Sequence, residues 1–196
     1  MRLTLVMPTG TQVGYDDYFS ASPLGIETLA AHALPLADVT LADMRGKGHD
    51  VEEHADRLAA TAPDILGISI NSAPHTKYSL ALAEAVKRRR PRTVILAGGQ
   101  QATFLTEELL GPGHIDAVVR GEGEFALYEI LMRGDYRGVD GVSWRDGDRV
   151  RLTSRRGSID VEAHVTEDTK EGVVWTTPHF AAASANRLTN DVLDER

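Results

Sequence analysis

The residues best suited to hold a ligand lie in five short segments, each following an apolar run. They are Pro8-Thr9-Gly10, Asp43-Met44-Arg45-Gly46-Lys47-Gly48, Asn71-Ser72-Ala73-Pro74-His75, Gly98-Gly99-Gln100-Gln101-Ala102-Thr103 and Arg120-Gly121-Glu122-Gly123-Glu124. The last two carry paired glycines. Glycine lets a ligand lie directly against the backbone. Two such loops side by side suggest a broad, flat surface for a large ligand, although tight turns without any ligand use the same residue.

Several familiar chemistries do not fit. Gly121-Glu122-Gly123-Glu124-Phe125-Ala126 matches the dinucleotide pattern G-x-G-x-x-A. That motif seats a pyrophosphate on a helix N-terminus, where two glutamates would repel it. There is no P-loop. His49, Glu53 and His54 read H-x-x-x-E-H, one residue longer than the inverted zinc motif. Ser69 and Ser72 lack a nucleophile elbow. The chain has no cysteine, which excludes disulfides, thiolate zinc sites, a cysteine nucleophile and a thiolate-held iron–sulfur cluster. No catalytic residue and no metal ligand is assigned.

The elements that position these loops alternate. Strands are expected at Arg2–Met7, Val39–Ala42, Ile65–Ile70, Thr93–Ala97 and Ala117–Val119. Helices are expected at Leu24–Leu34, Val51–Ala62, Thr76–Arg90, Phe104–Leu110 and Glu124–Met132, several of them bounded by prolines. Strands separated by helices imply right-handed crossovers and a parallel sheet. Strand runs that are apolar throughout fit a sheet covered on both faces. The expected fold is α/β: a doubly wound, flavodoxin-like five-stranded parallel sheet in the order 2-1-3-4-5. In such sheets ligands bind beyond the carboxyl ends of the strands, where the five segments fall.

Residues 1–138 are read as this domain. Residues 139–158 are a hairpin extension, with Asp146-Gly147 at the turn. Residues 159–196 are a tail or linker, with a helix expected at Phe180–Arg196. The chain has 196 residues, 42% hydrophobic and 26% charged, with a formal charge of −8. This is a globular composition and not that of a nucleic-acid binder. The basic run Lys87-Arg88-Arg89-Arg90-Pro91-Arg92 ends a helix, where cations complement the dipole. No apolar run approaches the ~20 residues of a membrane span, and the start is too weakly apolar for a secretory signal. A cytoplasmic location is expected.

The order and spacing of these segments resemble the N-terminal cobalamin-binding domain of the cobalamin-dependent radical-SAM family. Ser22-Pro23-Leu24-Gly25-Ile26 with Leu29-Ala30-Ala31 is similar to its P-L-G-(I/L)-x-x-L-A-A helix start. Pro63-Asp64-Ile65-Leu66-Gly67-Ile68-Ser69 is similar to its P-D-(I/V)-(I/V/L)-G-(I/F)-S strand. Gly98 to Thr103 and Val119 to Glu124 resemble its G-G-x-(H)-x-T and V-x-G-E-G-E pair, with Gln101 in place of the histidine. The hairpin has a counterpart there too, so the resemblance runs to about residue 155.

The resemblance implies cobalamin binding in the service of methyl transfer. It places the corrin over the ends of the third to fifth strands, and the nucleotide tail near Ser69, Gly98, Gly99 and Gly121. The implied contacts are Asp43, Met44, Arg45, Ser69, Ile70, Asn71, Ser72, Gly98, Gly99, Gln100, Gln101, Gly121, Glu122, Gly123 and Glu124. Mutases carry D-x-H-x-x-G, whose histidine ligates cobalt; here Asp43 to Gly48 reads D-x-R-x-x-G. Arginine has no lone pair to give a metal, so Arg45 lies near cobalt without ligating it and cobalamin is expected base-off. Its charge is expected to favour low-valent cobalt. The C-x-x-x-C-x-x-C cluster motif is missing, so a radical-SAM domain or protein is the implied partner. The chain is then an excised domain, a degenerate relative, or a stand-alone cobalamin carrier or sensor. The remaining alternative is a flavodoxin-like domain with another ligand.

Overall fold

The uninterrupted apolar runs become strands because both of their faces are covered. The computed structural model describes residues 1–10, 22–146, 149–154 and 157–162. Five strands pair in parallel: β1 (Arg2–Met7), β2 (Asp38–Asp43), β3 (Ile65–Ser69), β4 (Val94–Gly98) and β5 (Ala117–Val119). Their order is β2-β1-β3-β4-β5, the doubly wound arrangement expected from the sequence. Beyond β5 the sheet continues antiparallel through β6 (Val142–Asp146), β7 (Arg149–Ser154) and β8 (Gly157–Glu162). The expected hairpin is thus β6–β7, joined edge-on to the main sheet, and β8 is a strand beyond it. Asp146, expected at the turn, ends β6 opposite Arg149, whereas Gly147, the loop 11–21 and the expected Phe180–Arg196 helix lie outside the described residues.

Two apolar layers sandwich the sheet. On one side α1 (Leu24–Ala33) and α6 (Glu124–Arg133) bury Ile26, Ala30, Leu127 and Ile130 against Leu3, Leu5, Leu96 and Val119. On the other, α2 (Val51–Ala60), α3 (Ala73–Arg89), α4 (Gln100–Phe104) and α5 (Thr106–Leu110) enclose Leu58, Leu66, Ile68, Leu82, Ile95 and Leu109. Local chemistry sets the ends. The Asp50 carboxylate caps α2 by accepting from the amides of Glu52 and Glu53 at 2.9 and 3.1 Å. Gly134 closes α6 in the left-handed region.

Two helices differ from expectation. α3 begins at Ala73 rather than Thr76, because Pro74 tolerates a first turn. The helix expected at Phe104–Leu110 is two short helices broken at Leu105, and the first starts immediately after Gly99. The amides of Gln101 and Ala102 both donate to the Ile70 carbonyl, at 3.0 and 3.2 Å, which draws the chain into a turn at once.

The first three cations of the basic run are paired within the fold. Lys87 pairs with Asp116 at 2.7 Å, Arg88 with Glu52 at 2.5 Å, and Arg89 with Asp56 at 2.6 Å. Among the described residues no helix is long and apolar enough to cross a membrane.

Candidate functional site

A cleft of about 170 Å³ opens between the sheet and the α1–α6 layer, at the carboxyl ends of β3, β4 and β5. Strand register sets its depth. The lower rung aligns Leu5, Gly67 and Leu96 across β1, β3 and β4. The upper rung, two residues on, aligns Ser69 with Gly98. Ile26 and Leu29 of α1 and Leu127 of α6 complete the walls. Gly121, Glu122, Gly123 and Glu124 form the mouth beside β5.

Glycine is required at Gly99. Its φ is +101°, and a Cβ there would stand 2.5 Å from Asn71 Oδ1 and 2.8 Å from the Ile70 carbonyl oxygen. The turn presses the end of β4 against the end of β3. Thr103, one turn into α4, then joins the two glycine loops. Its hydroxyl donates to the Gly99 carbonyl at 3.1 Å and accepts from the Gly121 amide at 3.1 Å. Asn71 extends the same rim by donating from Nδ2 to Ser69 Oγ at 3.0 Å.

The cleft gathers Ser69, Asn71, Gly98, Gly99, Gly121, Glu122, Gly123 and Glu124. It does not gather the other residues singled out from the sequence. Ile70 is fully buried, with its amide donating to Gly98 and its carbonyl capping α4. Ser72 is the N-cap of α3. Gln100 and Gln101 form the first turn of α4, beside the mouth. Leu5, Gly25, Leu29, Gly67, Leu96 and Val119 also line the cleft, beyond the contacts that the resemblance implies. Among these, Gly67 carries a signal of its own, since glycine inside a strand marks a close approach.

The Asp43–Gly48 loop is held from behind. Arg45 folds onto Asp43 through Nε at 3.0 Å and Nη2 at 2.7 Å, and the Arg45 amide adds a third bond at 3.1 Å. The guanidinium holds the Asp43 carboxyl below its usual value. The pair is therefore close to neutral overall. Met44 is buried in the α2–α3 layer, where its sulfur meets the Tyr78 hydroxyl at 3.8 Å. His54 is buried beside Tyr78, with Nδ1 bonded to that hydroxyl and Nε2 to the Lys47 carbonyl at 3.3 Å. A carbonyl only accepts, so Nε2 carries a proton, and in the neutral imidazole Nδ1 then accepts from Tyr78. His54 thus faces the core while Glu53 pairs with Arg57 on the surface. Among the described residues no group of acidic and histidine side chains is placed to hold a metal ion.

A family model described as the B12 binding domain matches residues 15–131. The hopanoid C-3 methylase of Methylococcus capsulatus is 35% identical over 136 residues, covering 64% of this chain and 25% of that protein. The solved radical S-adenosylmethionine methyltransferase TsrM of Kitasatospora setae, with cobalamin and a [4Fe-4S] cluster bound, superposes with a TM-score of 0.61 at 17% identity. It covers 81% of this chain and 30% of that one, so the likeness is one of fold. The chain thus spans about a quarter of the methylase and a third of TsrM. A second model, the molydopterin dinucleotide binding domain, matches residues 142–196. The alpha subunit of an F420-dependent formate dehydrogenase from Methanocaldococcus jannaschii is 52% identical over 50 residues, 26% of this chain and 7% of that protein. The hairpin and the tail therefore fall together in a match separate from the first. With the first model spanning most of the chain and the glycine-lined cleft at the expected sheet edge, this chain belongs to the B12-binding domain family.

Proposed function

We propose that the chain holds cobalamin for a methyl-transfer system of the radical-SAM type. The observation that carries this reading is the glycine cradle. A Cβ at Gly25 or Gly121 would meet nothing within 4 Å, and at Gly98 nothing nearer than 3.8 Å. The cleft thus leaves open room against bare backbone at a sheet edge suited to a large flat ligand. The corrin is assigned to the ends of β3 to β5 and the nucleotide tail to the cleft. Ser69, Asn71, Gln101, Glu122 and Glu124 offer polar contacts around the rim. Cobalamin supplies a cobalt centre able to accept and pass on a methyl group. The chain's own part is to bind it, orient it and leave its lower face without an imidazole, since Arg45 takes the histidine's position in the D-x-R-x-x-G pattern of residues 43–48.

The chain contains no cysteine, so the cluster chemistry is assigned to a radical-SAM partner domain or protein. Among the described residues the cleft draws on nothing beyond Leu127.

Titration with hydroxocobalamin, followed by its visible spectrum, tests the assignment. Saturable binding with the dimethylbenzimidazole detached from cobalt is expected. Gly25→Trp is the control, because its side chain projects into open space rather than into the fold. A folded protein with no spectral change at high cobalamin concentration overturns the assignment.

A further inference from the structure

Resting on the cobalamin reading, we infer that the cleft selects corrinoids by the lower base of their nucleotide tail. It accepts benzimidazole-type bases and rejects purines. The inference comes from where the polar atoms lie. The lower rung and its walls are hydrocarbon: Leu5 and Leu96 on the sheet, Ile26 and Leu29 on α1, Leu127 on α6. The strand backbone behind them is already paired within the parallel ladder. The polar side chains stand at the upper rung or at the mouth. Ser69 there is bonded to Asn71, and Glu122 is exposed.

Among the described residues, a base seated on the lower rung therefore meets no donor or acceptor side chain. Detached from cobalt, dimethylbenzimidazole presents two methyl groups and a hydrocarbon edge to such a wall and has a single free ring nitrogen to desolvate, fewer polar atoms than adenine. Adenine presents an exocyclic amine and ring nitrogens that would lose water without replacement, which is costly. Size does not separate them, since both are bicyclic.

The test titrates the full chain with cobalamin, with the adenine-based cobamide, and with cobinamide, which lacks the nucleotide. Cobalamin is expected to bind at least about tenfold tighter than the adenine form, and also tighter than cobinamide. Leu96→Asn, which places an amide on the lower rung, is expected to narrow the ratio between the two bases. Equal affinity for both bases overturns the selectivity while leaving cobalamin binding intact. Cobinamide binding as tightly as cobalamin also overturns it, because the tail would then gain nothing from the cleft. Failure of all three to bind a folded chain overturns the cobalamin reading itself.

Discussion

The amide of Gly121 donates to the hydroxyl of Thr103 across 3.1 Å, and that hydroxyl in turn donates to Gly99. One side chain therefore sets the spacing of the two glycine loops that frame the cleft. Thr103→Val keeps the shape and removes both bonds. Each such bond contributes about 0.5–1.5 kcal/mol net, and Gly121 is exposed enough for water to replace one of them. Thr103→Val is expected to lower stability by roughly 1 kcal/mol and weaken cobalamin binding about three- to tenfold. Thr103→Ser should restore most of both. Denaturant unfolding and cobalamin titration of the two variants measure this.

Two glycines separate folding from binding. Gly99→Ala forces a side chain into a left-handed φ and against Asn71 and Ile70. A cost of about 1–3 kcal/mol in stability is expected. Gly25→Leu sits in α1 with nothing within 4 Å of its Cβ. Leucine favours helix over glycine by most of about 1 kcal/mol, so the thermal midpoint should hold or rise while cobalamin affinity falls by tenfold or more. Equal affinity for Gly25→Leu and wild type would place the ligand outside the cleft.

Much of this arrangement was legible in the sequence. Strand runs apolar on both faces, broken by Pro8, Pro63 and Pro91, give β1, β3 and the end of α3 directly. The paired glycines mark both loops of the mouth. The floor was not legible, because Leu5 and Leu96 look like any other core leucine until register places them beside Gly67. Nor does a loop reveal which of its residues turn inward, and Met44 and Ile70 turn into the core. The hairpin was recognised from its turn chemistry, which is local. Such chemistry is silent on which family a strand belongs to, and Val142 begins the second match.

Tyr78 makes a stability prediction with a sign. Burial raises its phenol above the ordinary value of about 10, and its hydroxyl is the partner of His54 Nδ1. For a raised folded value, the contribution is complete below pH ~10 and is lost as the pH climbs through the folded value. Tyr78→Phe leaves a buried imidazole nitrogen without its donor, at about 1–3 kcal/mol. The variant should be less stable at neutral pH and show a shallower decline above pH ~10. Chemical unfolding from pH 7 to 11 reads both effects.

Arg45 and Asp43 govern charge beside the proposed lower face of the corrin. Their bidentate contact nearly cancels the cation, so the expectation of a bare positive charge there is replaced by that of a balanced pair. Arg45→Ala leaves the Asp43 carboxylate alone, stabilises the more highly charged Co(III), and should move the cobalt potential negative. Asp43→Asn should move it positive, and Asp43→Asn with Arg45→Gln should return it near wild type. The stability effect is small, about 0–1 kcal/mol for a partly exposed pair. It has a direction in pH as well. Asp43 has a lowered folded value, so the pair's contribution is present above pH ~4 and is lost as the pH falls through that folded value. Acidification through that range should therefore uncover the arginine charge and shift the potential of wild type positive, as Asp43→Asn does at neutral pH. Spectroelectrochemical titration of the cobalamin-loaded protein reads all four proteins, and an unchanged potential in Arg45→Ala would place the cobalt away from this loop.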